Sequence, residues 1–251
     1  MSGHSHFKTV AATKNANDAK KGKIFSKMGR VITIAVKEKG PDITSNIQLK
    51  AAIEKAKEFN MPKENIERAI KKGTGELVGE TLEEVSFEGF GPGGIAIIME
   101  GITDNKNRTL GEVKGILGQF EGKMAGEGAV RWMFEKKGHF QINIEAMPKD
   151  LPAQAGELEL IAIEAGADDV QFNEAHVEIY TKPEDFEKVK RTLEDLAAQA
   201  GRGLKIESSF LGLTAKEEVA VNEKEQERAQ KLFEALDEND AIQDIYSNLK
   251  S

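Results

Sequence analysis

The hydrophobic period of this chain first changes near Gly79, and that change dictates a helical segment followed by sheet-bearing ones. Before it, apolar residues recur at spacings of three and four. Ile24, Met28, Val31 and Ala35, widened by Phe25 and Ile32, predict an amphipathic helix within 15–39 that Gly40-Pro41 stops. Ser45 and Gln48 stand at capping-box spacing ahead of a second helix carrying Leu49, Ala52, Ile53, Ala56 and Phe59. Pro62 suits the first turn of a third helix, whose Ile66, Ala69 and Ile70 face inward before Gly73 closes it. Beyond Gly79 the period is two. Val85 and Phe87 alternate with Glu84, Ser86 and Glu88, and Ile95 to Met99 is a continuous apolar run suited to a buried strand.

The charge changes sign almost where the period changes. Residues 1–75 hold 16 Lys and Arg against 7 Asp and Glu, whereas the remaining residues hold 19 against 36, within a chain of net charge −8. A basic helical segment joined to an acidic body presents one face to a polyanion and withholds the other. Charged side chains also simply solvate helices, and in the third helix Glu64 with Arg68 and Glu67 with Lys71 have the i,i+4 spacing of internal pairs. The expected contact surface therefore centres on the first helix and the arm before it. There Lys20, Lys23, Lys27 and Arg30 share a helical ridge about a third of a turn from the apolar stripe.

Gly91-Pro92-Gly93-Gly94 joins two predicted strands as a hairpin connection. A helix over 107–120, a glycine-rich loop and a strand with Val130, Trp132 and Phe134 on one side follow. A strand over 204–210, a helix with Ala229, Leu232, Phe233 and Leu236, and a short strand over 242–246 complete the pattern. The stretch between reads independently as strand, helix, two short strands and helix. The expectation is an α+β protein of three domains: a basic arm and three-helix domain over 1–76, a ferredoxin-like α/β domain built from 77–134 with 204–251, and an α/β domain inserted at 135–203.

No arrangement for catalysis emerges. The chain has no Cys, which removes disulfides, thiolate metal sites and thiol nucleophiles together. His4 and His6 lack a third metal ligand, and His139 and His176 stand near strands without a partner in a recognised spacing, so no catalytic residue, metal or cofactor is assigned. The glycine-rich turn has neither Walker nor dinucleotide spacing and precedes a strand, which favours a tight turn over a phosphate cradle. Thr103-Asp104-Asn105-Lys106-Asn107-Arg108-Thr109 is open to two readings: a helix cap from Asp104 or Asn105, or phosphate and sugar contacts from Lys106 and Arg108. The first residues lack a secretory signal, and no apolar run approaches the roughly 20 residues of a membrane span, so a soluble cytoplasmic protein without membrane contact is expected.

Several segments together resemble the YebC family. They are Lys20-Lys21-Gly22-Lys23-Ile24-Phe25, Asn60-Met61-Pro62-Lys63-Glu64-Asn65-Ile66-Glu67-Arg68-Ala69-Ile70, Phe87-Glu88-Gly89-Phe90-Gly91-Pro92-Gly93-Gly94 and the 103–109 loop, in that order. Met133-Phe134-Glu135-Lys136-Lys137-Gly138 and Glu164-Ala165-Gly166-Ala167-Asp168-Asp169-Val170 extend the resemblance over nearly the whole chain. One departure is His6-Phe7, where the family usually carries Lys and Trp. The resemblance implies a non-enzymatic, three-domain regulator that binds DNA; mitochondrial relatives are translational activators, and bacterial ones are linked to ribosomes stalled on proline-rich sequences. Its implied partners are DNA, or alternatively ribosomal RNA and tRNA, with protein partners possible through the acidic domains. The candidate nucleic-acid contacts are His4, Lys8, Lys14, Lys20, Lys21, Lys23, Lys27, Arg30, Lys63, Arg68, Lys71, Lys72, Lys106 and Arg108.

Overall fold

The computed structural model describes residues 18–79, 81–143, 151–172, 176–200 and 205–250. Three helices come first: α1 (Asp18–Lys39), α2 (Ile47–Glu58) and α3 (Lys63–Gly73). The predicted apolar stripes converge on one core in which Ile32, Leu49 and Ala56 are wholly buried. Each such aliphatic side chain the size of Leu or Ile contributes about 1.5–3 kcal/mol when removed from water. α1 and α3 cross closely at Gly73, where a Cβ would stand 2.6 Å from Val36 Cβ and 2.8 Å from the Thr33 carbonyl oxygen.

The cap of α2 differs from the expected Ser45 box. Ser45 turns back to Asp42, its hydroxyl 3.1 Å from a carboxylate oxygen, and Asn46 is the N-cap. Its Oδ1 accepts from Leu49 N–H at 2.9 Å, while its Nδ2 donates to the Ala35 and Gly40 carbonyls at 2.8 and 2.7 Å. A wholly buried amide thus satisfies backbone groups of both helices, which a shorter hydroxyl cannot do. Pro62 likewise lies one position earlier than expected, as the N-cap of α3.

The strands form two four-stranded sheets. The first has the order β3 (Lys123–Met124), β1 (Glu83–Phe90), β2 (Ala96–Thr103), β8 (Ile242–Ser247), with every neighbour antiparallel. Val85, Phe87 and Met99 share one face with the pleat, and α4 (Lys106–Gln119) and α7 (Glu223–Asp237) pack with this sheet. The second sheet has the order β5 (Ala167–Phe172), β6 (His176–Thr181), β4 (Phe134–Asn143), β7 (Lys205–Ala215). With α5 (Leu151–Ala165) and α6 (Phe186–Ala200) it completes a βαββαβ unit around Phe140, Ile142, Val177, Ile179 and Leu193.

The ferredoxin-like order therefore belongs to the inserted unit, and the strand expected at 204–210 in the first sheet instead pairs with β4 in the second. Contacts divide the chain into a unit of Trp132–Ala220 with Lys250 and a unit reaching Arg131 and resuming at Val221–Leu249. Segment 130–133 is also not a strand. Glu88, buried on β1, accepts from the backbone N–H of Gly128, Val130 and Arg131 at 2.7, 2.7 and 3.1 Å, turning the chain so that Val130 is buried and Arg131–Met133 form a 3-10 turn. Burial pushes the Glu88 carboxyl up, but these three donors together outweigh it and hold its pKa below the ordinary 4.5.

Candidate nucleic-acid interface

The expected ridge on α1 meets the end of another helix. Lys27, buried, donates from Nζ to the Asp237 carbonyl at 2.6 Å and to Asp237 Oδ1 at 3.0 Å. Lys23 reaches Glu238 Oε2 at 2.6 Å and the Glu238 carbonyl at 3.3 Å. The last carbonyls of α7 lack intrahelical donors and carry the negative end of the helix dipole, so two ammonium groups from α1 complete its C-terminus. The hydrogen bond that Lys23 donates to Glu238 raises the Lys23 pKa above its ordinary 10.5 despite partial desolvation. Arg30 donates to the Ile102 carbonyl at 2.9 Å and Lys37 to that of Leu82 at 3.0 Å, around a small apolar contact of Ile34, Leu82 and Ile102. Three of the four ridge cations thus fasten α1 to the first sheet domain.

The third helix shows the opposite outcome. Glu67 pairs with Lys63 at 3.4 Å, and among the described residues no ion pair joins Glu64 to Arg68 or Glu67 to Lys71. Arg68, Lys71 and Lys72 are exposed, and their i,i+3 and i,i+4 spacing sets them on one face. Lys50, Lys55 and Lys57 of α2, which sequence reasoning passed over, are also exposed. Their signal was present in the charge count, but nothing in the local pattern distinguishes them from solvating lysines.

In the 103–109 loop the helix-cap reading is realised. Asn105 is the N-cap of α4, accepting from Arg108 N–H at 3.0 Å. The Arg108 guanidinium forks onto both oxygens of Asp104 and approaches Glu112 at 3.7 Å, and this hydrogen bonding holds the Asp104 carboxyl below its ordinary 3.8. Lys106 is exposed. Lys21 is exposed in the first turns of α1; His4, Lys8 and Lys14, and the side chain of Lys20, lie outside the described residues.

His176 pairs with Glu207 at 3.0 Å, and His139 stacks on Phe210 with centroids 4.9 Å apart. Both histidines thereby acquire partners that sequence spacing did not reveal. Among the described residues no group of three or more His, Asp or Glu is placed to hold a metal ion, and no helix is long and apolar enough to cross a membrane.

The glycine-rich hairpin forms more than a turn. Gly93 and Gly94 adopt φ of 67° and 77°, and with Phe90, Gly91, Pro92, Glu121 and Lys123 they line an open cleft of about 460 Å³. The Lys123 ammonium sits 5.6 Å from the Phe90 ring centroid, and Glu121, at φ 60°, pairs with Arg228 of α7.

Known proteins share this organisation. Residues 5–76 match the TACO1/YebC protein N-terminal domain, and residues 82–249 match the TACO1/YebC second and third domain. A probable transcriptional regulatory protein of Thermoanaerobacter pseudethanolicus is 43% identical over 250 residues, covering 100% of this chain and 97% of the relative. One from Geobacter sulfurreducens is 43% identical over 248 residues, covering 99% and 95%. The crystal structure of a conserved hypothetical protein from Aquifex aeolicus superposes with a TM-score of 0.82 at 40% identity, covering 98% of this chain and 97% of that one. With both parts of the family matched in order and full-length relatives above 40% identity, this chain belongs to the TACO1/YebC family.

Proposed function

We propose that this protein is a non-enzymatic, nucleic-acid-binding regulator of gene expression, and that it binds DNA through the exposed cations of its helical segment. The observation that carries the reading is the face of α3 where Arg68, Lys71 and Lys72 project together. Lys23, Lys27 and Arg30 are engaged within the protein, so the polyanion contact moves from α1 to α3 and to Lys50, Lys55 and Lys57 of α2. The relatives' description as probable transcriptional regulatory proteins agrees with this reading. Lys106 adds a further cation at the start of α4.

The test is recovery of the full-length protein from cells by crosslinking, with sequencing of the attached nucleic acid. Recovery of DNA fragments that disappears in an Arg68→Ala/Lys71→Ala/Lys72→Ala variant supports the proposal. Recovery of ribosomal RNA or tRNA in place of DNA redirects it to translation, and recovery of no nucleic acid removes it.

A further inference from the structure

We propose that the cleft at the β1–β2 connection is a stacking site for one unpaired nucleobase of a single strand, with Phe90 as the stacking surface and Lys123 as the partner of the adjoining phosphate. The inference rests on the nucleic-acid binding argued above and adds the strandedness of the ligand. A volume of about 460 Å³ falls within the roughly 300–1,000 Å³ of small-ligand sites. Phe90 ends β1 half-buried, opposite Lys123 on the edge strand β3. The ring's cation-facing geometry shows a π-face turned toward a side chain that is itself exposed and can move to a phosphate.

The rest of the cleft wall is held in shape. Gly94 has a φ of 77°, and a Cβ there would meet nothing within 4 Å, so bare backbone borders open space. Gly93 is closed from behind, since its Cβ would stand 2.6 Å from Val221 Cγ1. Glu121 adopts the left-handed conformation that ends α4, where Gly122 N–H closes onto the Leu117 carbonyl at 2.8 Å, so the helix terminus fixes this part of the wall. Arg228 balances the Glu121 carboxylate. Glu225, the other carboxylate beside Gly93, accepts from Asn222 N–H in the cap of α7 at 3.1 Å. Among the residues described as lining the cleft, Lys123 is the one cation. An aromatic face with one mobile ammonium accepts any base with its phosphate, whereas the bases of a duplex are stacked on each other and cannot enter.

The test uses the full chain with a fluorescent oligouridylate carrying one 5-iodouridine, a matching iodinated deoxyoligonucleotide, and a duplex of equal length. Light-induced crosslinking is expected in the peptide containing Phe90. Phe90→Leu, which keeps an apolar side chain but no π-face, should lower single-strand affinity about tenfold and leave duplex affinity unchanged. Lys123→Gln should flatten the log-log salt slope for the single strand by about 0.7. The RNA and DNA arms report whether the sugar matters. Crosslinks elsewhere, with both variants at wild-type affinity, overturn the proposal, and the surface variant Lys123→Gln keeps it falsifiable if Phe90→Leu unfolds. Failure of the broader reading is distinguishable, because then the wild-type protein binds neither strand nor duplex.

Discussion

The first and third helices carry similar charge patterns and reach opposite ends. α1 presents Lys23, Lys27 and Arg30 along one ridge, and all three are drawn into contacts with α7 and β2. α3 carries acidic residues at i,i+4 spacing from its cations, yet Arg68, Lys71 and Lys72 stay exposed. The comparison teaches that a basic ridge beside an apolar stripe is as well suited to completing another helix's C-terminus as to meeting a phosphate. The deciding factor is what stands opposite, and for Lys27 that is a residue 210 positions away.

The largest expected effect is on α3. Replacing Arg68, Lys71 and Lys72 by Ala should weaken nucleic-acid binding and flatten the log-log salt dependence by about 2–3, from three phosphate contacts at roughly 0.7–0.9 each. Circular dichroism should show the fold intact. Wild-type affinity and slope in this variant would break the comparison by making α3 a solvated surface.

Lys27→Ala tests the other side. It leaves Asp237 and the last carbonyls of α7 without their buried cation, and should destabilise the protein by about 2 kcal/mol in denaturant titration. The salt slope of nucleic-acid binding should stay unchanged. A stable variant with a flatter slope would return α1 to the contact surface.

The start of α4 repeats the contrast on a smaller scale. Lys106→Ala should flatten the salt slope by about 0.8, whereas Arg108→Ala, whose guanidinium is engaged by Asp104, should leave it nearly unchanged. The depressed Asp104 carboxyl contributes stability that is present above the ordinary 3.8 and lost as pH falls through its lowered value. Arg108→Ala should reduce that acid-dependent loss, measured by thermal melts across the acid range.

The smallest effect concerns Lys23, whose pair with Glu238 is exposed and so is worth about 0.5 kcal/mol. Its raised pKa gives stability that is full below the ordinary 10.5 and disappears as pH rises through the higher folded value. Wild type and Lys23→Ala should therefore converge in stability only at strongly alkaline pH. A constant difference across that range would detach the titration from the α1–α7 contact.

Within the fold, what was legible followed from short-range repetition. The stripes of α1, α2 and α3, the alternation of β1 and the apolar run of β2 are visible within a few residues, because helix and strand periods are local geometry. The cap of α2 was misplaced by one residue because Ser45 and Asn46 are both good caps, and only Asn46 can reach Ala35 and Gly40 as well. The strand expected through Val130 and Trp132 fails for a similar reason. Its alternation is genuine, but Glu88, 42 positions earlier, captures the backbone of 128–131. The glycine-rich turn was recognisable as a turn, whereas its cleft arises where Glu121 and Lys123 are brought beside it.

The sequence alone thus determined the elements, the helical start and sheet-bearing remainder, the opposite charges of the two parts and the family pattern, since each is a property of neighbouring residues. The tertiary structure decided which sheet β7 joins, which cations are engaged and which face solvent, and that a hairpin turn borders a cleft. Strand partners and charge partners are chosen across long sequence separations, where the energy lies in contacts that no local pattern encodes.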